Sequence, residues 1–352
     1  MARLKKAIIR AGLEALYFTG AHELLRPLCG GVGAALTLHH VCPPRHDSFQ
    51  PNHLLEVTPE FLEAVIVQLR RWNIDIISLD ELHRRLVEGD FRRRFACFTF
   101  DDAYNDHREH VHPIFKRHGA PFAVFVPTSF PDRRGELWWV VLETVIAKTD
   151  RLTVLMDGAE RRFNCAGAAA KYRTFETLYW WLRTRPSNED IRAATHDLAA
   201  RYGVDIAAIC ADSCMTWDEI AAMAADPLVT IGSHSVNHFI LSMLPEPQAR
   251  AELEASRTIL EGRLGKKIEH LAYPFGQAGT VGPREFRIAE ELGFKTAVTT
   301  RPGVLFAQHR NHLCALPRVS VNGEFQRLRY LRVLVSGAAT ALWNRFSRIQ
   351  AT

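Results

Sequence analysis

Apolar residues recur along the chain in short unbroken runs, each stopped by a polar residue and followed by helical spacing. The runs fall at 34–38, 74–77, 97–100, 121–126, 228–231, 270–273, 296–300 and 315–320. Continuous rather than alternating runs predict strands buried on both faces. Between them, Thr58 ahead of Pro59 predicts a capped helix start, with Phe61, Leu62, Val65, Ile66 and Leu69 on one face. Ser78-x-x-Glu81 and Thr216-x-x-Glu219 read as capping boxes, and Gly265 as the C-cap of a helix over 247–264. Strand–helix alternation repeated in this way predicts an α/β fold. The count favours a distorted (β/α) barrel of seven or eight parallel strands over an open sheet. The rhythm breaks over about 130–214, which holds Trp138-Trp139, Trp180-Trp181 and a helix through 191–202. That stretch reads as a helical insertion laid over one face. The organisation expected is an N-terminal helical segment (1–33), the barrel (34–324) and a C-terminal helix (325–352).

Composition narrows the class. With 47% apolar and 24% charged residues in 352, the chain can bury a full core. A net charge of +5, with no basic stripe interleaved with aromatics, argues against a nucleic-acid partner. Seven cysteines, several inside strand-like runs, argue against a disulfide framework and for a reduced compartment. Residues 1–21 open with Arg3, Lys5 and Lys6, but Arg10 and Glu14 interrupt the apolar stretch and no small-residue cleavage site follows. We therefore expect no secretory signal, no spanning helix and a cytoplasmic location. Peripheral contact with the inner membrane face through basic amphipathic helices at the two ends stays open, beside plain packing of those helices.

In a (β/α) barrel, chemistry gathers where the strands end. Those ends carry His39, Asp101-Asp102, His234, Tyr273-Pro274-Phe275 and Arg318. Two adjacent aspartates closing an apolar strand need compensation, because isolated buried charge is prohibitively costly. In His234-Ser-Val-Asn-His238 two imidazoles stand four apart, expected on one side of a helical turn and able to reach one ion. Asp102 would complete a His-His-Asp set with a fourth position open, the pattern of a catalytic zinc site. Asp101 then sits where a general base is needed.

Thr99-Phe-Asp-Asp102 together with His234-Ser-x-x-His238 resembles the polysaccharide deacetylases of the NodB-homology type, carbohydrate esterase family 4. That family includes chitooligosaccharide, peptidoglycan and exopolysaccharide deacetylases. The resemblance spans about 34–319, with the insertion outside it. It implies Zn2+ or another divalent metal, an acetylated glycan as partner, and hydrolysis of an N- or O-acetyl group by water activated at the metal. It further implies Asp101 as base and Asp102, His234 and His238 as ligands. Two departures stand out. The family's Arg-x-Pro-aromatic motif is Ala272-Tyr273-Pro274-Phe275 here, so its arginine is missing, and Arg318 is the candidate replacement. The Phe275 N–H would keep the oxyanion role, with Tyr273 beside it on the substrate side. The C-terminal Leu-x-x-His that usually supplies the acid has no clear copy. Leu36-Thr-Leu-His39 fits the pattern, making His39 the candidate and His40, His309 and His312 the fallbacks. Of His107, His110 and His112 at most one should line the site, and Trp138-Trp139 reads as packing before sugar stacking. Two other functions compete: the same site acting on a small non-peptide amide, or an idle barrel that binds glycan or docks on a membrane.

Overall fold

Seven parallel strands close on one another in the computed structural model, which describes residues 2–349 and 351. With the barrel-sheet strands numbered in chain order, they are β1 (Gly33–Leu38), β3 (Phe95–Phe100), β4 (Phe122–Val126), β5 (Val229–Ser233), β6 (His270–Ala272), β7 (Thr296–Pro302) and β8 (Leu316–Ser320). The ring runs β1-β8-β7-β6-β5-β4-β3 and shuts through six β1–β3 pairs, Gly33↔Phe95 to Leu38↔Phe100. The eighth strand, β2 (Asp75–Ile76), pairs only with β3 and lies outside the ring.

Side chains alternate across each strand. Phe95 and Cys97 point into the barrel with Ala35, Phe125, Val298 and Leu316, while Phe98 and Phe100 face the surrounding helices. The interior is tight: a Cβ on Gly232 would lie 2.5 Å from the Phe125 ring and 3.0 Å from the His270 carbonyl. The outer helices start as expected. Thr58 Oγ1 accepts the Phe61 N–H at 3.2 Å over the helix Pro59–Arg71, which buries Leu62, Val65, Ile66 and Leu69. Thr216 and Glu219 form both halves of a capping box, whereas Ser78 forms only the accepting half. Gly265, left-handed at φ 63°, ends Glu246–Leu264.

The insertion is not wholly helical. Trp138–Ala147, Ala168–Arg183, Asn188–Arg201 and Ile206–Ser213 are helices, but Arg151–Met156 and Ala159–Asn164 form an antiparallel hairpin. Leu152, Val154 and Met156 alternate inward, and Asp157-Gly158 turns with both φ positive, the geometry that favours a two-residue hairpin. Its apolar core reaches the barrel mouth through Tyr104 and Phe275. At the ends of the chain, Ala2–Phe18, Ala21–Cys29, Leu328–Val335 and Ala338–Trp343 pack together, so the expected single C-terminal helix is two. All seven cysteines are free thiols. Among the described residues no helix is long and apolar enough to cross a membrane.

Candidate active site

Parity along β3 carries its inward face past Cys97 to Thr99 and then to Asp101, just beyond the strand. On β8, Arg318 follows Leu316 inward. The two meet inside the mouth. The Arg318 guanidinium donates to both Asp101 oxygens, at 2.8 and 2.6 Å, and also to Thr99 Oγ1 at 3.0 Å and the Thr299 carbonyl at 2.8 Å. Burial alone would raise the Asp101 carboxyl. The Arg318 charge and hydrogen bonds outweigh it and hold the group below the ordinary carboxylate value. Asp101 is thus a buried anion kept ionised by the arginine expected to replace the missing one.

Asp102 turns away at φ 73°, a left-handed conformation that is uncommon and strained for a non-glycine residue. Its Oδ1 lies 3.5 Å from His234 Nε2 and 3.3 Å from His238 Nε2. One ligand atom from each of the three residues lies within 4.8 Å of the others. Hydrogen bonding leaves these atoms available. His234 Nδ1–H donates to the Ala272 carbonyl at 2.7 Å, which turns the lone pair of Nε2 toward Asp102. Burial pushes the His234 pKa down to about 4, so the ring is neutral. Asp102 Oδ1, though buried, accepts no hydrogen bond. An orphaned carboxylate oxygen facing two imidazoles suits a divalent cation, and the donor set matches the expected one.

The route to this arrangement differs from expectation. Residues 234–238 are an irregular loop, with Ser235 and His238 at φ 62° and 56°, and not a helical turn. The loop is held from outside: Glu252 accepts the N–H groups of Val236 and Asn237 at 3.0 and 2.9 Å, and Ser235 Oγ accepts that of His238 at 3.1 Å. Nothing in the sequence around Glu252 marks it, since it sits on an ordinary charged helix.

His39 follows β1 and places Nε2 4.0 Å from Asp101 Oδ2, with its side chain 24% exposed. Burial lowers its pKa. His107, fully buried, contacts the His39 carbonyl from behind at 2.7 Å; His110 is partly exposed, and His112 pairs with Asp226. The fallbacks are committed elsewhere. His40 bonds Asp106 at 2.6 Å and stacks on Tyr104, and His309 caps its own turn at Phe306. His312 lies beyond that turn. Phe275 sits at the mouth at φ 60°, its ring 5.0 Å from that of His238, and among the described residues its N–H has no protein acceptor. Tyr273 does not line the site. It is fully buried against Phe286 and donates its hydroxyl to the Cys314 carbonyl at 2.8 Å. Trp139 does more than pack: its ring lies 5.3 Å from that of His238 and its indole N–H has no partner.

Trp139 also borders a cavity of about 620 Å3, lined besides by His40, Asn52, Arg45, Glu56 and Glu143; Asp101, Asp102, His234 and His238 do not line it. Its polar wall is cross-linked: Arg45 donates to Glu56 at 2.6 Å and Glu143 at 2.9 Å, and Asn52 to Glu143 at 2.8 Å.

Comparison with known proteins follows the same lines. Residues 165–297 match the family model for polysaccharide deacetylase, which takes in His234, His238 and Phe275 but begins after the aspartates. The protein YxkH of Bacillus subtilis strain 168, named for the polysaccharide deacetylases, is 28% identical over 94 residues. These are 27% of this chain and 32% of YxkH, so about a third of that relative's length is matched. The Streptococcus pyogenes deacetylase PplD, solved with acetate, superposes with a TM-score of 0.55 at 17% identity, over 86% of this chain and 96% of its own. IcaB from Ammonifex degensii gives 0.52 at 15%, over 87% and 96%. At such identities the likeness is one of fold. Sequence match and fold point the same way: residues 165–297 match the polysaccharide deacetylase model, and the barrel is similar to those of the solved deacetylases, the NodB-type fold.

Proposed function

We propose that this protein is a metal-dependent hydrolase that removes acetyl groups from an N-acetylated oligo- or polysaccharide of the chitooligosaccharide or exopolysaccharide class. The observation that carries the reading is the convergence of Asp102, His234 and His238 beside an Asp101 held ionised by Arg318. Those three residues would hold the ion. When bound, a divalent cation supplies Lewis-acid chemistry, polarising an acyl oxygen and acidifying water near neutral pH. Asp101 takes the proton of the attacking water, and Arg318 keeps it ready to do so. The Phe275 N–H donates to the acyl oxygen as negative charge grows there. His39 gives a proton to the departing sugar nitrogen as the C–N bond breaks; burial, which lowers its pKa, makes its protonated ring the stronger acid. A glycan is favoured over a small amide by the cavity that Trp139 borders, the residue whose ring also lies near His238: its volume and its Arg, Glu and Asn side chains suit a hydroxyl-rich ligand larger than one acyl group.

The test is acetate release from N-acetylglucosamine oligomers, before and after chelation and with Asp102→Ala. Release should disappear on chelation, return with a divalent ion, and be absent in the variant. Release that survives both treatments would refute the proposal.

A further inference from the structure

The terminal helices expose what helices ordinarily hide. In Ala2–Phe18 one stripe packs inward, with Leu13 buried against Tyr330 and Val333 and flanked by Ile9, Leu16 and Tyr17. The opposite stripe, Ile8, Ala11, Ala15 and Phe18, is exposed and also apolar, where a helix with one free face would carry polar residues. The neighbouring helix Ala21–Cys29 adds Leu24 and Leu28, 80% and 64% exposed. Leu342 and Phe346, in and just after Ala338–Trp343, extend the same surface, since these helices pack side by side. With Trp343, these segments hold seven of the eleven large apolar side chains exposed on the described residues, so the patch is a concentration and not background.

Charge is concentrated there too. Residues 1–29 carry five basic and two acidic side chains, and 327–352 carry five basic and none acidic. That is +8 in these two segments against +5 for the whole chain, which leaves −3 for everything between. Glu14 and Glu23 are engaged by Arg329 and Arg332, while Arg10, Arg26, Arg345 and Arg348 stand exposed at the rim. A second copy would press two strongly positive faces together. An anionic lipid surface offers an apolar interior for the leucines and phenylalanines and negative headgroups for the rim. We propose that this face docks on an anionic phospholipid bilayer. The helix pair Ala21–Cys29 and Ala338–Trp343 meets the barrel at the opposite end from the site. There Arg94, just before β3, donates to the carbonyls of Gly30 and Val335 at 2.5 and 2.6 Å.

The full chain is sedimented with vesicles of phosphatidylcholine alone and of phosphatidylcholine with phosphatidylglycerol, at low and high salt. It should pellet with the anionic vesicles, and less so as salt rises. Phe18→Ser/Leu24→Ser/Leu28→Ser should weaken partitioning about tenfold or more, with thermal unfolding and acetate release in solution unchanged. Arg10→Glu/Arg345→Glu tests the charge separately and should also weaken it. No pelleting with anionic vesicles, or equal partitioning of both variants and the wild type, overturns the proposal. So does a stable dimer, seen by light scattering, that the apolar variant converts to monomer, since the face would then belong to a second copy.

Discussion

Arg318→Met removes one half of an ion pair sealed from water, its side chains 0% and 2% exposed. Methionine keeps much of the stem volume and loses the donors to Asp101, Thr99 and Thr299. Breaking a buried pair by removing one partner costs about 3–5 kcal/mol, because the remaining charge stays desolvated and uncompensated. Removing both charges lifts that penalty, so Asp101→Asn/Arg318→Met should lose less than the sum of the single losses, with a coupling of about 2 kcal/mol. The pH dependence has a definite sign. Arg318 holds Asp101 below its ordinary value, so the pair stabilises the wild type above that range and loses its effect as pH falls through it. Without the guanidinium, burial alone raises the Asp101 pKa. The variant's deficit is then greatest where Asp101 is ionised and shrinks as acid neutralises it. The same shift removes the proton acceptor near neutrality. Acetate release should fall about a hundred- to ten-thousand-fold, and the acid limb of kcat/KM should move to higher pH. Urea unfolding followed by tryptophan fluorescence measures the stability cycle. A loss below about 1 kcal/mol, as for an exposed pair, or strictly additive single and double losses, would refute the reasoning.

His39→Ala should cut acetate release about a hundred- to ten-thousand-fold while zinc uptake in equilibrium dialysis stays intact; unchanged turnover would discard its role as acid. Glu252→Ala frees the loop N–H groups of Val236 and Asn237 and should weaken zinc affinity about tenfold or more, and equal affinity would show that the loop holds itself. His309 accepts the Phe306 N–H at 2.9 Å, and burial pushes its pKa down to about 4 from 6.5. Its neutral form therefore stabilises the fold fully above 6.5, and the effect is lost as pH falls toward 4, at up to about 1.4 kcal/mol per unit. His309→Asn keeps an acceptor for Phe306 and should flatten that acid slope in chemical denaturation, whereas parallel slopes would exclude His309 as its source.

The strands were legible because each is a run of apolar residues wherever both faces are covered, as in Phe122–Val126. The same feature hid the facing of each side chain. With Cys97, Phe98, Thr99 and Phe100 all buried, no alternation tells which face looks inward, and so nothing marked Thr99 and Thr299 as partners of Arg318. Tyr273 was misplaced for this reason: a ring one residue from Pro274 looked available to substrate, but it turns into the packing under Phe286. Spacing likewise indicated that His234 and His238 could meet, but not by what path. A helical turn and a loop with two left-handed residues both bring imidazoles four positions apart together, and only tertiary contacts such as Glu252 choose between them. The hairpin in the insertion had a readable signal in Asp157-Gly158 flanked by alternating Leu152, Val154 and Met156. It was masked by the helical residues on either side.

Arg318 shows why position in a motif is a weaker guide than direction in space. The site needs a guanidinium directed inward at the mouth and within reach of Asp101; it does not need one particular strand to supply it. In a closed ring, inward side chains from different strands converge on the same axis, so β6 and β8 can serve the same point. Ala272, where the family motif has arginine, belongs to the same buried interior cluster as Leu316, two residues before Arg318. A small residue at 272 leaves that interior to the longer chain from β8, and its carbonyl is used to orient His234. With alanine at 272, the buried guanidinium at 318 is the counter-charge that Asp101 has, and without one an ionised Asp101 at this depth would be prohibitively costly.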